Sequence, residues 1–310
     1  MRTLNSYAGK VDSNDSFGIN LIGSLSGGVG LGVTTRALAG LLKSREIPFS
    51  VLDVPHAWGD PQPCSEFARE QVAGPESLPH PVNLYVLPAV NFETFFRANP
   101  EFLAHERLHI ANLWWEASRL PPRWIRPLSR FDGILAMSDF IAEVCRGSLP
   151  MTPTLRGDHP LDLPDIIRSN RKEFDLPDGG VIFFVSLDPN SDLERKNPGA
   201  LVRAFRAAFP DTDQDVRLVI RLNNAGTDFG RYAVGHLQQL AEKDHLVRLL
   251  LEPMTYDEIL SLYACCDIYL SFHRGEGLGL GMLESMALGK AVIATGWSGN
   301  MSFMNHSNSA

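Results

Sequence analysis

Short apolar runs rich in valine, isoleucine and leucine punctuate the chain, and the stretches between them are long enough for a helix. In the first half they are FGINLIGS (17–24), PFSVLDV (48–54), VNLYVLP (82–88), HIANLWW (109–115) and DGILAMS (132–138). The pattern then starts again with VIFFVSL (181–187), VRLVIRL (216–222), LVRLLLE (246–252), DIYLSF (267–272) and AVIAT (291–295). Strands apolar on both faces and separated by helices are the mark of a parallel sheet built from βαβ units. Two such series predict an α/β protein with two Rossmann-like parallel-sheet lobes facing a cleft. The proline-containing segment MTPTLRGDHPLDLPD (151–165) interrupts any periodicity and sets the expected boundary, giving domains over 1–165 and 166–310.

A length of 310 residues exceeds the usual size of one hydrophobic core and agrees with two domains. The net charge of −8 argues against a broad basic surface for nucleic acid, while leaving room for a small anionic ligand in a local pocket. No apolar run reaches the roughly 18 residues of a membrane helix, and MRTLNSYAGKVDSNDS lacks the apolar centre of a signal peptide. The expected location is the cytoplasm, with a peripheral station at the inner face of the membrane left open. Cys64, Cys145, Cys265 and Cys266 form no zinc-like spacing and read as reduced thiols.

The segment GEGLGLGMLE (275–284) lies after the run DIYLSF and before a helix expected over 280–288, stopped by Gly289 as a left-handed cap. A glycine-rich strand-to-helix loop lets backbone N–H groups approach an anion closely. Glu276 and Glu284 beside such a loop are repulsive to phosphate unless they face hydroxyls, so the pair points to a ligand with both sugar and phosphate. The alternative is a glycine-rich turn with two solvated glutamates.

The stretch HRGEGLGLGMLESMALGKAVIATGWSGN (273–300) resembles the signature of retaining GT-B glycosyltransferases of family 4, also called glycosyltransferase group 1. Glu276, Gly277, Gly279, Glu284, Met286, Ala287, Gly289, Val292, Ile293 and Ala294 match its pattern; Ser285 and Ala291 depart from it mildly. SLDPNSDLERKNPGALVRAF (186–205) looks like the family's first βα turn of the C-terminal lobe, where a lysine grips the donor diphosphate; Lys196 stands there. GSLSGGVGLGVTTRALAGLL (23–42) is similar to the glycine-rich loop of the N-terminal lobe, with Gly27, Gly28 and Gly30 facing the cleft, and its spacing fails the dinucleotide pattern. NLWWEASRLPPRW (112–124) resembles a Trp-Glu…Leu-Pro segment of some members.

The resemblance implies transfer of a hexosyl group from a nucleotide diphosphate sugar to a hydroxyl of a glycan or lipid-linked acceptor, in polysaccharide or glycoconjugate biosynthesis. It casts Lys196 with Arg195 as neutralising the diphosphate and Glu284 as holding the ribose hydroxyls. Glu276 contacts the donor sugar near its reacting carbon, and Gly277, Leu278, Gly279 and Leu280 present amides to the donor. Glu276 and Lys196 are the catalytic candidates. No cofactor and no metal are expected, because cationic side chains and helix dipoles take the role of a divalent ion. Two departures stand out: Ser186-Leu187 occupy the place of a second phosphate-binding arginine, for which Arg195 is the substitute, and the family continues beyond the point corresponding to Ala310, so the C-terminal lobe is expected to be truncated. A non-catalytic nucleotide-sugar-binding protein is the alternative.

Three patterns are set aside. HERLH (105–109) satisfies the zinc-peptidase spacing, but that site needs one helix through both histidines, and His109 opens a predicted strand, so solvated or cleft-lining histidines are expected. Arg119, Arg123, Arg126 and Arg130 share a helical spacing suited to an anionic lipid or phosphorylated acceptor, but Pro121, Pro122 and Pro127 interrupt such a helix, which favours an ordinary solvated segment. LGKA (288–291) lacks the first glycine and the hydroxyl of a phosphate-binding P-loop.

Overall fold

The computed structural model describes residues 17–310 except 56–61, 63, 104–106, 162, 165–166, 211–213 and 242–243. The first lobe runs β1 (Ile19–Gly23), α1 (Gly30–Ser44), β2 (Phe49–Asp53), β3 (Val82–Val86), α2 (Phe92–Ala98), β4 (Leu108–Leu113), α3 (Pro122–Leu128), β5 (Gly133–Ala136), α4 (Asp139–Ser148) and β6 (Thr154–Arg156). Its strands pair in parallel in the order β2-β1-β3-β4-β5-β6.

The second lobe contains β7 (Val181–Leu187), α5 (Leu193–Lys196), α6 (Pro198–Ala208), β8 (Val216–Leu222), α7 (Asp228–Ala241) and β9 (Val247–Leu250). It continues through α8 (Tyr256–Cys265), β10 (Ile268–Ser271), α9 (Leu280–Ala287) and β11 (Ala291–Ala294), and its parallel order is β11-β10-β7-β8-β9. Central strands are buried on both faces: Phe184, Leu218, Val219 and Ile182 are fully enclosed, as are Leu21, Ile22 and Ile134 in the first lobe. At about 25 cal/mol per Å² of apolar surface, that burial is what holds each sheet between its helices.

Each of the expected strands forms; β7 and β8 span the expected runs in full, and most of the others are shorter by one to three residues at their ends. One strand was missing from the sequence reading. β6 lies inside the segment 151–165 and adds a sixth strand to the first sheet; it is three residues long, too short for an alternation to show.

The strand orders position the site. In the second sheet the chain moves outward from β7 to β9 and then returns to the other side of β7 with β10. The loops after β7 and β10 therefore diverge over opposite faces and leave a crevice beyond the strand ends. The first sheet has the equivalent reversal between β1 and β3, so the glycine-rich loop after β1 lies at its own switch point. The two lobes touch at these edges: Asn223 Nδ2 donates to Gly28 O at 3.0 Å and the Tyr256 N–H to Gln62 Oε1 at 3.0 Å.

Candidate functional site

The loop after β10 enters α9 through Gly279, whose φ of +94° is open to glycine and strained for other residues. Gly289, at φ +72°, ends the helix as expected. The N–H groups of Leu278, Gly279 and Leu280 donate to no acceptor among the described residues, as the first turn of a helix leaves them. Leu278 is buried and anchors the loop, and Gly281 is required because a Cβ there would stand 2.3 Å from the Tyr269 hydroxyl.

Lys196, at the end of α5, reaches this loop across 80 residues of sequence: its Nζ lies 2.6 Å from Glu276 Oε1. Arg195 Nη1 is 3.2 Å from the same oxygen. Glu276 is buried, which by itself raises a carboxyl pKa; the charges of Lys196 and then Arg195 outweigh that and hold it below the ordinary range. Glu276 is thus an anion kept in place by two cations. Arg195 is more committed than Lys196, because its guanidinium also donates to Gly275 O at 2.7 Å and Ser191 O at 3.1 Å and approaches Glu116 Oε1 at 3.7 Å. It fastens the loop. Lys196 spends one of its three donors on Glu276.

Glu284 sits one turn into α9, buried, and accepts a hydrogen bond from the Tyr256 hydroxyl at 2.8 Å. Desolvation pushes its pKa up to about 7, against which the Tyr256 bond works. The two glutamates, one in the loop and one in the helix it leads into, differ in environment: Glu276 faces cations, Glu284 a hydroxyl.

From the first lobe, Gly30 opens α1 and faces Leu280 across the cleft, with 3.6 Å between an added Cβ and Leu280 Cδ1. Gly28 O takes the Asn223 bond, and a Cβ on Gly27 would stand 2.3 Å from Ser24 Oγ. The carbonyl of Gly277 accepts from Ser138 Oγ at 2.6 Å, and Ser138 also caps α4 by accepting from the Ile141 N–H at 3.2 Å. Trp115 and Glu116, from the Trp-Glu segment, press their carbonyls on Gly277 and Gly275, where added Cβ atoms would stand at 3.3 and 2.4 Å. The structure therefore brings Lys196 and Arg195 to the loop of Glu276, Gly277, Leu278 and Gly279 that leads through Leu280 to Glu284, with Gly28 and Gly30 contacting the second lobe, whereas Gly27 packs within its own lobe.

Sequence reasoning missed Arg221. It is in register with Ser186, the position where the resemblance expects an arginine, and it donates from β8 to Ser186 Oγ at 3.2 Å and to Asn223 Oδ1 at 3.3 Å. A buried guanidinium thus stands beside the place left by Ser186. Its signal was the charge inside the apolar run VRLVIRL, which is costly to bury without a partner.

One expectation is corrected. His109 is neither solvated nor cleft-lining: it is buried in β4, stacked against Tyr85, with Nδ1 hydrogen-bonded to the Tyr85 hydroxyl at 2.8 Å. Its place in a strand also breaks the helix that HERLH would need; His105 and Glu106 lie outside the described residues. As expected, the prolines keep the four arginines from sharing one helix: α3 is only seven residues long, beginning at Pro122, where no N–H is needed, with Pro127 costing it one i→i−4 bond, and Arg119 and Arg130 lie outside it. Arg119, Arg123, Arg126 and Arg130 are exposed as expected, and the last three line a groove of about 530 Å³ together with Arg97. No helix among the described residues is long and apolar enough to cross a membrane.

Comparison with known proteins bears on the same architecture. A glycosyltransferase from Rickettsia africae superposes with a TM-score of 0.64 at 14% identity, covering 94% of this chain and 82% of the other. Sucrose-phosphate synthase from Thermosynechococcus elongatus gives 0.66 at 14% identity, over 91% and 82%. HepE of Anabaena, solved in complex with UDP and glucose, gives 0.60 at 15% identity, over 94% and 83%. At such identities the likeness is one of fold. No curated protein matches the chain. The chain has the two-lobed GT-B glycosyltransferase architecture, and its residues 180–309, the lobe that carries Lys196, Glu276 and Glu284, match the family of glycosyl transferases group 1.

Proposed function

We propose that the protein is a retaining glycosyltransferase that moves a hexosyl group from a nucleotide diphosphate sugar to a hydroxyl of a glycan or lipid-linked acceptor, in polysaccharide or glycoconjugate biosynthesis. The observation that carries this reading is the convergence of Lys196, Glu276 and Glu284 on one glycine-rich helix start at the switch point of the second sheet. Lys196 offers its remaining donors to the diphosphate, and the unpaired N–H groups at the start of α9 add to them. Glu284, which already accepts from a phenolic hydroxyl, is suited to the hydroxyls of a ribose. Glu276 faces the sugar.

In the reaction, the acceptor oxygen bonds to the anomeric carbon as the bond from that carbon to the phosphate oxygen breaks. The electron pair goes to the diphosphate, where Lys196 and the α9 amides stabilise the growing charge. The acceptor proton passes to the leaving phosphate oxygen on the same face, which retains configuration. Arg195 acts from behind, holding Gly275 and Glu276 in place. The cations of this chain supply the positive charge in that scheme, so no cofactor is proposed. HepE binds UDP and glucose, which supports a nucleotide-sugar donor here.

Thermal-shift measurement against UDP-, GDP-, ADP- and dTDP-glucose tests the reading, since a ligand of the native state raises its stability. Stabilisation by one donor with release of free nucleotide is expected. Binding without turnover would favour a non-catalytic nucleotide-sugar-binding protein, and no binding would refute both.

A further inference from the structure

Ser298 has φ +75° and ψ −143°, a backbone conformation almost confined to glycine. A serine there is costly, and a local reason for it is missing: the residue follows β11 in a short connection where glycine would relieve the strain. Its hydroxyl has a distant partner. Ser298 Oγ accepts the N–H of Glu276 at 2.8 Å, and both residues are buried. The next residue completes the contact, because the Gly299 N–H donates to Glu276 O at 2.9 Å. Gly299 must lack a side chain, since a Cβ would stand 2.0 Å from Gly277 O and 2.7 Å from Glu276 O. Both polar groups of the Glu276 backbone are thus taken by one dipeptide, and Gly277 O is held from the other lobe by Ser138.

We propose that Ser298 is a positioning residue for glycosyl transfer: its hydroxyl, held in a strained backbone, fixes the peptide of Glu276 so that the carboxylate keeps its place between Lys196 and the donor sugar. The proposal rests on the glycosyltransferase reading for its function, but its geometry can be tested alone. Side-chain direction follows from the backbone that carries it, and a carboxylate that must meet one sugar carbon tolerates little rotation. The hydroxyl therefore acts on the reaction without touching the substrate.

Two variants separate positioning from plain structure. Ser298→Gly removes the hydroxyl and the strain together, so a merely structural serine would be replaced without loss. Ser298→Ala removes the hydroxyl and keeps the strain. Hydrogen–deuterium exchange of the peptide covering 274–279 should rise about tenfold at the Glu276 amide in both variants, as expected for loss of one buried hydrogen bond, with the melting temperature of Ser298→Gly at or above that of the parent. For the sugar nucleotide that stabilises the parent best among UDP-, GDP-, ADP- and dTDP-glucose, the preference over the bare nucleotide should fall about tenfold in both variants, with affinity for the bare nucleotide unchanged. Unaltered exchange, or an unaltered preference in Ser298→Gly, overturns the proposal. If the parent binds none of the four donors, the glycosyltransferase reading falls, while the exchange measurement still decides whether the clamp exists.

Discussion

Replacing Glu284 by glutamine should change how stability depends on pH, with a sign set by burial. The Glu284 carboxyl has a pKa of about 7 in the folded protein against an ordinary 4.5, because burial disfavours its charged form. Between those values the folded state holds a proton that the unfolded state has released. Stability from this group therefore falls as pH rises from 4.5 to 7 and is flat above that window. At about 1.4 kcal/mol per pH unit, the full effect is about 3 kcal/mol. Glutamine keeps the acceptor for the Tyr256 hydroxyl, so it removes the titration with little change of shape. Urea unfolding at pH 5, 6, 7 and 8 gives the test: the parent should lose stability relative to Glu284→Gln up to pH 7, and the difference should then level off. Parallel curves across the whole range would refute the burial argument.

Other predictions concern the same loop. Lys196→Ala should weaken binding of the stabilising nucleotide sugar about tenfold to a hundredfold by calorimetry, the range for hydrogen bonds to a charged group; an unchanged affinity would remove Lys196 from the donor site. Gly281→Ala should destabilise the protein by about 1–3 kcal/mol through overpacking against the Tyr269 hydroxyl. Adding Tyr269→Phe should recover part of that loss in thermal unfolding, and strict additivity would show that the clash is elsewhere. Ser138→Ala should cost about 1–2 kcal/mol, because one hydroxyl both caps α4 and bonds Gly277; a melting temperature equal to the parent's would count against that double role.

Much of this fold was legible because parallel strands leave a strong trace. VIFFVSL and VRLVIRL are apolar on both faces since helices cover both faces, and the structure places β7 and β8 on those runs. GEGLGLGMLE was legible for a different reason: a left-handed Gly279 and a helix start need particular residues at particular places. β6 and α3 were not legible. Two half-buried residues around the exposed Leu155 carry no period, and Pro122 looks like a breaker because its tolerance depends on where the helix begins. His109 was misjudged because its partner, Tyr85, is on a neighbouring strand.

The sequence by itself determined the alternation of strands and helices, the two lobes and the loop that carries Glu276 and Glu284, all consequences of local conformational preference and burial. Only the tertiary structure decided that β10 returns to lie beside β7. That reversal puts Lys196 at 2.6 Å from Glu276, while the β7–β8 register gives Ser186 the buried Arg221 as a neighbour. It also decided that Ser298, 22 residues further on, holds the Glu276 amide. Such contacts join residues remote in the chain, and a hydrogen bond between remote groups leaves no periodicity along the sequence. They exist because strand order brings their loops to the same crevice, where each buried polar group must find a partner.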